Sequence, residues 1–255
     1  MIQVGRREIG ITGFALRIIA VVAMVAAFIG REKGYGYEWL EAFGWTSFTI
    51  FAFLLVEGVA HSSNKHLYVR RFIVFGIISE FLYDWYMTGR TWFNGTKFLI
   101  FRNQSVMVSL FVMLLVMLLL VFIKSRYDNL VLNMILIAVF CYEICRLAEL
   151  YNFQFGRIGI IIIMVFYVAR NVTYPKLLEI AVLLYICFLL TSDVLTVISI
   201  GRLQYPLSPQ LYCFIALPFI WAYDGTRGPN QLPLQIAQYL AYPVCLLIFA
   251  LIKWH

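Results

Sequence analysis

The chain has 255 residues, 63% of them apolar and 13% charged, with a formal net charge of +7. A soluble domain carries about a quarter charged residues, so a soluble fold is excluded. The cations are spread over short loops with no basic block and no nucleic-acid motif, which excludes a nucleic-acid interface and reads as loop charge at lipid headgroups.

Several apolar runs approach the ~20 residues that cross a bilayer as a helix. They are continuous, whereas a transmembrane barrel would alternate in segments of ~10 residues. The expected fold is all-α: a polytopic transmembrane bundle of about nine spans (eight to ten), forming one domain over residues 1–255. The bilayer is the expected partner surface.

In chain order, the first predicted span covers residues 11–29 and holds one charge, Arg17, close enough to its start to snorkel. The second, 40–60, ends in Glu57, and a polar patch follows with His61, Asn64, Lys65, Arg70 and Arg71. Glu57 and His61 lie four apart and share a helix face. The third span, 72–87, holds Glu80 and Asp84, again one turn apart. Two carboxylates in low dielectric need compensating groups, for which Arg71, Tyr83 and Arg17 are candidates. Charge inside a membrane is costly and is kept where it serves a cavity or a partner. We therefore expect His61, Arg71, Glu80, Asp84 and Asn103 to converge on one polar cavity.

Asn103 opens the fourth span, 105–123. The fifth, 130–150, carries Glu143, Arg146 and Glu149 at spacings of three, which predicts an internal ion-pair ladder. The sixth, 158–168, is short. The seventh covers 177–200, the eighth 210–223, and the ninth 234–252 with Tyr242-Pro243 inside it. A proline there kinks the helix. The cysteines, Cys141, Cys145, Cys187, Cys213 and Cys245, sit in apolar runs and read as packing residues rather than a disulfide set. No metal site is expected. The amino-terminal side has a small excess of loop cations, which predicts a cytoplasmic amino terminus.

The stretch Phe51 to Gly58, then His61-Ser62-Ser63-Asn64 and Tyr68 to Arg71, resembles the TraX family of integral membrane proteins. The likeness continues through Ile77-Ile78-Ser79-Glu80, Asp84 and Asn103. It returns at Tyr223-Asp224-Gly225-Thr226-Arg227-Gly228 and Tyr242-Pro243, and the opening Leu16 to Ala20 shares it. The resemblance implies a bacterial inner-membrane protein of acyltransferase-type fold, an acetyl-coenzyme A donor, and an acceptor such as the amino terminus of a pilin-like subunit.

Several of the family's polar positions differ. Arg17 matches a cation that related acyltransferases follow, eleven residues later, with a catalytic His; that position is Phe28, and the expected Asp-His pair reads Ala27-Phe28. Trp45, Thr49, Gln154 and Cys245 stand where the family has Arg, Pro, often Asp, and His. A general base must accept a proton near neutral pH, which Ala and Phe cannot do. Two readings result. In one, the chain is a degenerate binding or assembly subunit of a membrane complex, with Arg17, Asn64, Arg71, Glu80, Asp84 and Asn103 facing substrate or partner. In the other, it is an active acetyltransferase with His61 as base, Glu57 orienting it, and Lys65, Arg70 and Arg71 on the phosphates of acetyl-coenzyme A.

Overall fold

The structure is a computed structural model that describes residues 10–62, 65–89, 104–126, 130–190, 196–200, 203–229 and 232–254. Each predicted apolar run contains a helix. In order these are α1 (Gly13–Lys33), α3 (Phe43–His61), α4 (Lys65–Thr88), α5 (Val106–Arg126), α6 (Leu130–Leu150), α7 (Gly156–Ala169), α8 (Pro175–Tyr185), α9 (Cys213–Trp221) and α10 (Leu232–Trp254), with a one-turn α2 (Glu38–Glu41) before α3. Among the described residues four helices are long and apolar enough to cross a membrane: Gly13–Lys33, Glu38–His61, Val106–Ile123 and Ile236–Trp254.

The seventh predicted span is corrected. Its helix ends at Tyr185, continues as a π-helical turn over Ile186–Leu190, and gives way to a hairpin of β1 (Thr196–Ile200) and β2 (Leu203–Leu207). The strands are antiparallel, with Val197 opposite Pro206 and Ser199 opposite Gln204. Hydropathy reads this stretch as one span because apolar runs do not separate strand from helix. Its Thr-Val-Ile-Ser-Ile sequence is mostly β-branched, which favours the strand. A two-stranded ladder has open edges that hydrocarbon does not tolerate, so the hairpin is not a lipid-facing span.

The chain divides into two compact units. The first comprises residues 1–54 and 168–238. In it, α1 starts at Thr12, whose hydroxyl accepts from the Ala15 N–H at 3.3 Å. It ends at Gly34, where φ of +68° reverses the chain. Its buried stripe, Leu16, Ala20, Ala23, Met24 and Phe28, follows the helical period. The loop after α9 wraps the start of this helix. Ile11 N–H donates to Ala222 C=O at 2.8 Å, Asp224 N–H to Ile11 C=O at 3.1 Å, and Gly13 N–H to Thr226 C=O at 2.8 Å. On α3 the Thr46 hydroxyl donates to Tyr212 C=O at 2.7 Å, beside an edge-on contact between Phe43 and Tyr212. A buried Glu179 on α8 accepts from Trp221 Nε1 at 2.6 Å.

The second unit comprises residues 55–167 and 239–255. The buried face of α4 is Phe72, Gly76, Ser79, Glu80, Tyr83 and Tyr86. Its opposite face exposes Ile73, Val74, Ile77 and Ile78. Tyr239 of α10 stacks on Phe75 with ring centroids 5.2 Å apart and meets Phe72 edge-on. Trp254 Nε1 donates to the Tyr86 carbonyl at 3.1 Å and closes the end of α10 on α4. The predicted internal ladder on α6 is corrected: Arg146 pairs with Glu143 at 3.1 Å and Glu149 with Arg157 at 3.2 Å, and all four side chains are exposed. Glu149 bonds beyond its own helix because Arg157, just past the turn into α7, reaches it.

Candidate functional site

The polar centre of the second unit is the start of α5. The first N–H groups of a helix have no partner within it, and here other residues supply them. Ser105 N–H donates to Glu80 Oε2 at 3.1 Å. Val106 N–H donates to the Tyr242 hydroxyl oxygen at 3.4 Å. Val108 N–H donates to Ser105 Oγ at 3.4 Å, an N-cap bond. A carboxylate beside a helix amino terminus is favoured by the helix dipole, which is why α4 can bury an acid at 5% exposure.

Only one oxygen of Glu80 is used in this way. Its Oε1 is buried and has no hydrogen-bond partner among the described residues, and the same holds for Gln154 Oε1. Gln104, next to Ser105, forms a parallel backbone bridge with Phe153, next to Gln154. Chain connectivity thus brings both acceptors to the same end of α5. Each calls for a donor, since a buried unpaired acceptor costs about 1–3 kcal/mol. The arrangement suits a ligand or partner group that presents N–H or O–H donors.

The second polar centre is the turn between α3 and α4. His61 Nδ1 lies 3.1 Å from Glu57 C=O and 3.2 Å from Glu57 Oε2. Both neighbours only accept, so it is Nδ1 that carries the proton in this contact. The His61 side chain is 54% exposed and that of Glu57 15%. Lys65 and Arg70 are exposed at the start of α4, and Arg71 is half-buried.

These two centres do not merge. Glu80 stands fifteen residues after Lys65 on one continuous helix, or about 22 Å at 1.5 Å per residue. His61, Glu57, Lys65 and Arg70 thus lie at one end of α4 and Glu80 with Asp84 toward the other, while Arg71 stands nine residues before Glu80, about 13 Å along the helix. Asn64 and Asn103 lie outside the described residues. Arg17 is half-buried one turn into α1, in the first unit. In that unit Phe28, at the position expected to hold the base, is 7% exposed within the buried stripe of α1. Cys245 is buried on α10, and all five cysteines are free thiols.

Sequence reasoning missed Ser105, Gln104 and the Glu179–Trp221 pair. A serine directly before an apolar run is an N-cap signal and could have drawn attention to Ser105. Nothing local pairs Glu179 with Trp221. In the Asp224 loop, the Thr226 hydroxyl and N–H both donate to Asp224 Oδ1 at 2.7 Å and hold its carboxyl below the ordinary range.

A family model described as TraX protein matches residues 12–253. The chain belongs to the TraX family. This TraX chain is thus an integral membrane protein, in keeping with its long apolar helices. A relative described as "Probable fimbrial assembly protein FimC, serogroup H1", from Dichelobacter nodosus, is 34% identical over 83 residues, covering 31% of this chain. That match spans about a third, 34%, of the relative's length. No solved structure matches the chain.

Proposed function

We propose that this TraX-family chain is a pilin-associated subunit of a bacterial inner-membrane complex that binds its partner rather than acylating it. The observation that carries the proposal is Phe28, buried in the apolar stripe of α1 where the family's base is expected. Neither Ala27 nor Phe28 can take a proton from an attacking amine. What persists is a binding feature, the Glu80 carboxyl group held by Ser105, with one oxygen that has no hydrogen-bond partner among the described residues. A partner segment carrying N–H donors fits it. The fimbrial assembly role in the relative's description supports a pilin-type partner.

In this reading α4 also lies in the membrane. Ile73, Val74, Ile77 and Ile78 face outward as lipid contacts, while Glu80 faces inward. With the shorter apolar helices included, the count rises toward nine spans in a single domain, and the small cation excess sets the amino terminus in the cytoplasm.

The experiment is retention of a pilin-type subunit from solubilised membranes by the tagged chain. The wild type and His61→Ala are expected to retain it, and Glu80→Gln to release it. Failure of the wild type to retain any such subunit would overturn the proposal.

The alternative is an active acetyltransferase at the α3–α4 turn, favoured by the His61–Glu57 pair. Lys65, Arg70 and Arg71 fit the phosphates of acetyl-coenzyme A, which would supply the acyl group. The residues at the expected catalytic positions, Ala27 and Phe28, do not fit that chemistry.

A further inference from the structure

We propose that residues 31–41 are an aromatic anchor that seats in the headgroup layer of the bilayer through Tyr35, Tyr37 and Trp39, independently of anionic lipid. The segment joins two helices, Gly13–Lys33 and Glu38–His61, that are each long and apolar enough to cross a membrane. A short connection between two such spans lies at a membrane surface. Tyr35 is 98% exposed, and Tyr37 and Trp39 are also exposed. Rings with an apolar body and a polar tip concentrate at that depth. The anchor continues an existing surface, since Ile18, Val22 and Ile29 expose the outward face of α1 below it.

The segment is built to hold these rings in place. Arg31 Nε pairs with Glu41 Oε1 at 2.9 Å across the turn. Gly36 N–H donates to Glu38 Oε2 at 2.9 Å. Lys33 Nζ sits 5.6 Å from the Tyr37 ring centroid. Gly34 and Gly36 take positive φ, +68° and +87°, which tightens the reversal. These bonds also occupy the charge. Arg31 and Lys33 stand against Glu32, Glu38 and Glu41, so the segment is slightly acidic. It has no net attraction for anionic headgroups, and its hold on the bilayer comes from the rings.

The test places a probe at Tyr35. With Cys141→Ser and Cys145→Ser removing the half-buried thiols, Tyr35→Cys is labelled with an environment-sensitive fluorophore on the full chain in lipid vesicles. Tyr35 packs against almost nothing, so the change leaves the fold intact. The expected result is blue-shifted emission, quenched by lipid-borne quenchers near the headgroups and protected from iodide. It should be the same in phosphatidylcholine with or without phosphatidylglycerol, and at high salt. Adding Tyr37→Ala and Trp39→Ala should move emission to the red and raise iodide quenching toward that of free dye. Water-like emission open to iodide in the parent would overturn the proposal. So would insertion that requires phosphatidylglycerol, or a label depth unchanged by loss of the two rings.

Discussion

Ser105 and Glu80 are 25 residues apart in sequence and share a buried hydrogen bond of 3.1 Å, from the N–H that opens α5 to a carboxylate on α4. The bond joins the two helices and fixes one oxygen of the acid, while the other has no partner among the described residues. Glu80→Ala should strand the Ser105 N–H and destabilise the chain by about 1–3 kcal/mol. Glu80→Gln keeps an acceptor of the same shape and should cost less than half as much. Unfolding of both variants in the same detergent measures the difference. Equal losses would mean that the bond carries no weight.

Two glycines should respond in opposite directions to the same change. A Cβ on Gly30 would collide with the backbone of Leu40 and Glu41, whereas one on Gly76 would meet nothing within 4 Å. Gly30→Ala must push α1 from the following turn, at a cost of about 1–3 kcal/mol. Gly76→Ala lies within a helix and should stabilise by up to about 1 kcal/mol. Thermal unfolding of the pair checks the sign as well as the size.

The Asp224 loop makes a pH prediction. Donation from Thr226 lowers the carboxyl pKa below its ordinary 3.8 in the folded chain. A depressed acid contributes stability that is fully present above its unfolded pKa and is lost as pH falls through the folded value. The thermal midpoint of the wild type should therefore fall below about pH 4 by more than that of Asp224→Asn. The two should run parallel at neutral pH, apart from a constant offset. Parallel curves throughout would remove Asp224 from the account. The effect is small, because the group is exposed and screened.

Much of the helical framework is legible in the sequence, because each apolar run is long enough to dominate its local structure. Glu57 and His61 are legible for the same kind of reason, since their contact spans one helical turn. The failures are non-local or turn on side-chain shape. The stretch 196–200 is apolar enough to pass for a helix, and its β-branched residues decide for a strand instead. Tyr242 reaches Val106 across 136 residues, and no spacing rule announces that contact. Glu80 could be singled out as a charge in an apolar run, but its partner could not. Adjacency of the two spans predicts that His61 converges with Glu80; the length of α4 separates them.

The Glu179–Trp221 pair offers a fold test in the first unit. Trp221 Nε1 donates at 2.6 Å to a buried carboxylate, and Lys176 lies 5.2 Å from the Trp221 ring centroid. Trp221→Phe keeps the apolar ring and removes the donor. It should destabilise by about 1–3 kcal/mol, the range for a hydrogen bond to a charged or desolvated acceptor. Double-mutant coupling with Glu179→Gln should recover at least part of that loss, and full additivity would show that the two groups act independently.

The function proposed for this TraX chain is partner binding without acyl transfer. The most direct measurement is transfer of labelled acetyl from acetyl-coenzyme A to a pilin-type subunit in membranes containing the chain. Losing a general base removes about 10²- to 10⁴-fold in rate, so labelling should be no greater than in membranes without the chain. Robust labelling that His61→Ala abolishes would contradict it and place catalysis at the α3–α4 turn.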